Sequence, residues 1–154
     1  MTAAPLPPAD LLPAYRAAAA EREALGVPPL PLTAQQAQAL TELLQVPPAG
    51  EEAFLLELLS ERIPPGVDEA AYVKASWLAA VARGEAKSPL VSPVEAVRLL
   101  ATMIGGYNVG ALIDLLGSAD AAVAEAAAER LSRTLLVYDA FHDVLELAES
   151  NPLA

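Results

Sequence analysis

The chain has 154 residues, no cysteine and a formal charge of −11, and 55% of it is hydrophobic while only 5% is aromatic. That length supports one domain with a core, and the dominant apolar residues, Ala and Leu, are both strong helix formers. The lack of cysteine excludes disulfides, thiol nucleophiles, thiolate-held zinc and Cys-bound iron–sulfur clusters, and the acidic charge disfavours nucleic acid and anionic membranes as direct partners.

The opening MTAAPLPPADLL has neither a basic n-region nor a long apolar run, so no signal peptide is expected. Residues 1–11 read as a flexible, proline-rich tail, residues 12–150 as a single domain, and residues 151–154 as a second short tail. Proline pairs in PLPP, VPPLPL, VPP and IPPG punctuate the first half, and each marks a helix stop within one domain.

The first predicted helix starts after Asp10, with Pro13 in its first turn, and carries Leu12, Tyr15, Ala19, the Arg22 stem and Leu25 to Gly26. Thr33 and Gln36 form a T-x-x-Q capping box ahead of Leu40, Leu43 and Leu44. Gly50, Glu51 and Glu52 open a third helix bearing Phe54, Leu55, Leu58 and Leu59, its carboxylates suiting the positive end of the helix dipole. Asp68 caps a fourth with Val73, Trp77 and Val81, which stops at Arg83-Gly84.

In SPVE, Ser92 is the N-cap, Pro93 the first helical residue and Glu95 the residue reaching back. Val94, Val97, Ala101 and Ile104 form that helix's expected buried stripe. Val109, Leu112, Ile113 and Leu116 then repeat at helical spacing. Gly117 closes that segment, and Ser118 caps another bearing Val123, Ala127, Leu131 and Leu135. A last helix around residues 139–149 is expected to bury Phe141, Val144, Leu145 and Ala148.

The pattern predicts an all-α fold of about eight helices, arranged as a HEAT-like stack of antiparallel helix pairs, an α-solenoid. Similar starts near Thr33, Asp68 and Asn108 recur at the period of such repeats. The charge-free run Leu99–Ile113, about 15 residues, is shorter than the roughly 20 needed to span a bilayer. A soluble, cytoplasmic protein is expected.

Chemistry is sparse. Gly105, Gly106 and Gly110 match neither G-x-G-x-x-G nor the P-loop, and no strand precedes them. The pair reads as a corner, with Gly105 leaving one helix in a left-handed turn and Asn108 capping the next. Asp139 and His142 have metal-like spacing but lack further ligands. Glu57 and Glu61 read as a solvated face, and Ser88 and Ser92 have no activating base in view. No catalytic, metal or cofactor site is expected.

A partner-docking edge is the more promising feature. Lys74, Lys87, Ser88 and Arg98, with the corner Gly105, Gly106, Tyr107 and Asn108, are its candidate residues, on the expectation that the connector from Gly84 to Val91 and this corner share one edge of the stack. Tyr72, Trp77 and Tyr107 are candidate anchors, although the spacing of Trp77 with Val73 and Val81 suits the core.

The segments PPGVDEAAYVKA, GEAKSPL and GGYNV, within a match from about Leu12 to Glu146, resemble the N-terminal domain of bacterial aconitase B. The resemblance implies a HEAT-like domain that precedes a swivel domain and the catalytic domains. The whole enzyme interconverts citrate and isocitrate through cis-aconitate with a [4Fe-4S] cluster, a lyase step of the tricarboxylic acid cycle. It also implies a protein partner, either the catalytic domains or another subunit, and a role in shaping access to the active site. No catalytic residue of that family carries over, because the cluster cysteines are absent. A module within such an enzyme, a free-standing adaptor of the same fold that binds a separate protein, and an enzyme in its own right all remain open at this point.

Overall fold

The computed structural model describes residues 5–154, apart from the side chains of Leu135, Leu136 and Asp139. The first four residues of the expected tail, and the expected burial of Leu135, lie outside what is described. Eight α-helices and one 3₁₀ helix, with no strand, make up the described residues: α1 Pro8–Ala24, α2 Ala34–Gln45, α3 Glu52–Glu61, α4 Glu69–Arg83, α5 Pro93–Leu100, α6 Tyr107–Leu115, α7 Ala121–Leu131, a 3₁₀ helix Leu135–Ala140 and α8 Phe141–Ala148.

Helix α1 begins at Pro8, inside the stretch read as tail, because Pro8 takes the tolerated first position and Leu11 beyond it is fully buried. Pro13 therefore lies inside the helix rather than in its first turn. It cannot donate to the Ala9 carbonyl, but Ala9 is exposed and water can take up that carbonyl. Leu25, expected on the buried stripe, is 77% exposed because it caps a helix end that projects past the core.

Capping sets most of the other starts. Thr33 and Gln36 form the full reciprocal box, and the Asp68 side chain accepts from the Ala71 amide at 3.0 Å. Ser92 accepts from the Glu95 amide, while the Glu95 carboxylate bonds Arg98 at 3.3 Å rather than reaching back to the cap. The cap of α7 is Asp120, which accepts from Ala122 and Val123; Ser118, expected in that place, instead accepts from the Asp120 amide. Gly84 ends α4 at φ 78°, a left-handed position that favours glycine.

The helices form two layers. Helices α2, α4 and α6 lie side by side in one, α5 packs on α7 in the other, and α3, α5 and α7 back their partners α2, α4 and α6. Helix α1 packs on α2. The first-layer helices run the same way: Tyr72 meets Tyr107 at one end of α4 and α6, and Arg83 meets Asp114 at the other. Their caps fall at Thr33, Asp68 and Gly106, so the repeat read from the sequence holds with its third start two residues earlier. This arrangement is consistent with a HEAT-like stack. The shared core is led by Leu40, Leu44, Leu55, Leu58, Leu59, Leu78, Leu100 and Leu112, with Trp77 buried among them.

Two expected stripes differ. Helix α5 stops at Leu100, so Ile104 is 67% exposed and Met103 is buried in its place. Helix α8 buries none of its residues: Phe141 and Leu145 are exposed and Val144 only partly covered, because no further helix packs on its outer side.

Candidate docking surfaces

The connectors alternate between two edges of the stack. On one edge the backbone of Leu32 bonds Arg62 at 2.8 Å, that of Ile104 bonds Pro65 at 2.9 Å, and the Tyr107 hydroxyl donates to Gly66 at 2.7 Å. On the other edge the Ser88 hydroxyl donates to Leu44 at the end of α2. The Lys87-Ser88 connector and the Gly105–Asn108 corner thus lie at opposite ends of α5, about 12 Å of helix apart. Chain direction reverses at each corner, so successive connectors cannot share an edge.

The glycine corner is a structural joint. Gly106, not Gly105, takes the left-handed conformation (φ 81°) and is the N-cap of α6. Asn108 lies inside α6, fully buried, with its side-chain amide donating to the Leu100 carbonyl at 3.1 Å and so closing the exposed end of α5. The Tyr107 ring lies 4.6 Å from that of Tyr72. Burial, then the neighbouring Tyr72 and Asp68, push its hydroxyl pKa up, so it is a lasting donor to Gly66. Gly105 has no room for a side chain, since a Cβ would fall on the Tyr107 ring.

Lys74 is no surface contact either. It is 2% exposed, and its ammonium lies 3.5 Å from the Ile63 carbonyl just past the end of α3, where a cation suits the helix dipole. Burial lowers its pKa, and the nearby Glu61 charge partly opposes that. Ser88 accepts from the Leu90 amide while donating to Leu44, so both its functions are used in the joint. Lys87 is exposed beside it, and Arg98 is exposed on α5 and paired with Glu95. Of the eight candidates, only Lys87 and Arg98 are exposed, and they are not brought together with the corner.

Two surfaces escaped the sequence reading. A groove of about 650 Å³ between α1 and α3 is lined by Tyr15, Arg16, Glu51, Phe54, Glu57 and Arg62. There Arg16 makes two bonds to Glu51, one at 2.9 Å, and its guanidinium sits 4.7 Å over the Phe54 ring. The hydrogen bond between them holds the Arg16 pKa up and the Glu51 pKa down. The partners are far apart in sequence and no local pattern announces them. The second surface is the outer face of α8, whose amphipathic pattern predicts a buried stripe while the structure leaves Phe141 and Leu145 exposed.

Among the described residues no group of three or more His, Asp or Glu side chains could hold a metal. His142 is exposed on α8 with its ring edge-on to Phe141, and the Asp139 side chain expected beside it lies outside the described residues. No helix among the described residues is long and apolar enough to cross a membrane.

Residues 14–154 match the family described as the aconitate B N-terminal domain. The chain is 58% identical to aconitate hydratase B of Synechocystis over 94% of its length, which is 17% of that protein. It is 59% identical to the Escherichia coli aconitate hydratase B over 91% of its length, 16% of that relative. The Helicobacter pylori protein of the same name is 44% identical over 94% of the chain. The chain thus spans about a sixth of the length of the relatives it matches.

Proposed function

The chain belongs to the aconitate B N-terminal domain family, and we propose that it acts as the non-catalytic helical module of an aconitate hydratase B, working through contact with polypeptide. The observation that supports this is one of proportion: nearly the whole chain pairs with only a sixth of each relative. In this reading the conversion of citrate and isocitrate belongs to the other domains, in the cytoplasm, and this module packs against them.

The residues present do not fit an iron–sulfur cluster, since such clusters are held by cysteine thiolates and the chain has none. No reaction step is assigned to the chain. Ser88 serves a joint and Ser92 a helix cap.

A chimera tests the reading. The matching segment of the Escherichia coli relative is replaced by this chain, and turnover of citrate and cis-aconitate is followed. Activity comparable to the parent is expected from the chimera, and none from the isolated chain. Turnover by the isolated chain, or a folded chimera without activity, overturns the proposal.

A further inference from the structure

We propose that the outer face of α8, with the apolar cleft beside it, is the surface on which this module seats against the remainder of an aconitate hydratase B, and that the receiving surface is an apolar groove rimmed by Lys and Arg. This rests on the reading above and names the contact it requires.

The apolar arc of α8 is more than twice as wide as its packing uses. At 100° per residue, Leu147, Val144, Ala148, Phe141 and Leu145 span about 160° of the helix. Only Val144 and Leu147 pack on the core. Phe141 is 56% and Leu145 50% exposed, and Tyr138, on the turn before, is 78% exposed. Elsewhere the large exposed apolar residues fall mainly at connectors and helix ends, as Leu25, Val46, Val67 and Ile104 do; here Phe141 and Leu145 lie together on one helix face.

The face is held in place. The Asn151 side chain donates to the Leu116 carbonyl at 2.8 Å, and its amide donates to Leu147 at 2.8 Å, so α8 is tied back to the end of α6. Beside it a cleft of about 290 Å³ opens between α7 and α8, lined by Leu116, Leu131, Val137, Val144 and Leu153. An apolar side chain of a partner can enter there while Phe141 and Leu145 enter the partner.

Charge selects among occupants. No Lys or Arg follows Arg133, and Asp143, Glu146 and Glu149 are exposed on the polar side of α8. A second copy would bring two acidic rims together, and nucleic acid would meet the same repulsion. A basic rim is the complement. The relatives carry some five-sixths of their length outside the matched segment, and α8 is the last helix of that segment. The remainder of such an enzyme is therefore the polypeptide nearest to this face.

Amide hydrogen exchange on the isolated chain and on the chimera tests this. Exchange over residues 138–149 should slow by about tenfold or more in the chimera, while α2 is unchanged. Phe141→Ser with Leu145→Ser should abolish the slowing. Asp143→Asn, Glu146→Gln and Glu149→Gln together should reduce it and remove its sensitivity to salt. An active chimera whose α8 exchanges as fast as in the isolated chain overturns this face and leaves the module reading standing. A folded but inactive chimera overturns both. Slowing that appears in the isolated chain as its concentration rises makes the occupant a second copy and overturns the proposal.

Discussion

Helices α2 and α8 are built from the same kind of amphipathic segment and meet different fates. In α2 the leucines at 40, 43 and 44 are all buried, the start carries a reciprocal cap, and α1, α3 and α4 surround it. In α8 the apolar residues recur just as regularly, yet no residue is buried and the N-cap is Ala140, with no side-chain bond. A periodic pattern states that a helix has an apolar face; only the neighbours decide whether that face is covered. An uncovered face at the end of a stack is therefore information about a partner.

The sharpest way to break the comparison is to cut leucines in both regions. Leu58 is fully buried in α3, so Leu58→Ala should cost about 3 kcal/mol, within the range for such cavities. Leu145→Ala should cost no more than about 0.5 kcal/mol, as for most surface changes. Urea denaturation of the two variants measures both. Equal losses would mean that α8 is packed as firmly as the centre.

The same contrast explains what could be read from the sequence. Thr33-x-x-Gln36, Asp68 and Ser92 fixed three starts because capping is local, needing only residues within one turn. The all-helical fold and its repeat followed from those starts and from leucine spacing. The surfaces did not. Lys74 looks like a surface charge until the fold buries it beside the Ile63 carbonyl, and Arg16 finds Glu51 only through tertiary packing. The corner at Gly105–Asn108 was legible as a corner, but the Tyr107 bond to Gly66 comes from across the fold, and the Asn108 bond to Leu100 depends on how the two adjacent helices pack. The placement of Lys87 and Tyr107 on one edge failed because chain reversal puts adjacent connectors at opposite ends.

That corner gives the next smaller effect. Tyr107→Ala should remove the contact with Tyr72 and the bond to Gly66, costing about 2 kcal/mol. Tyr107→Phe keeps the ring and should cost about 1 kcal/mol. Gly105→Ala should disturb the joint as well, because its Cβ must displace the same ring. If Tyr107→Ala leaves the denaturation midpoint unchanged while lowering the activity of the chimera, the corner is a docking element after all.

The smallest effect is a pH dependence, and it belongs to the packed region alone. Burial lowers the Lys74 pKa in the folded protein, while in the unfolded chain it is that of an ordinary lysine. Below the folded value both states hold the proton, and the fold bears the full cost of burying the charge. As pH climbs from there toward the unfolded value, the unfolded state binds more protons, so stability rises with pH. Above the unfolded value the cost is gone. Lys74→Met removes this titration, so the stability of the parent should climb relative to the variant as pH rises toward about 10.5, by less than either change above. The Phe141→Ser and Leu145→Ser variant changes no titrating group, so its curve should run parallel to the parent's throughout. Parallel curves for the parent and Lys74→Met would show that the ammonium reaches water, and that Lys74 is not buried beside Ile63 as the geometry describes.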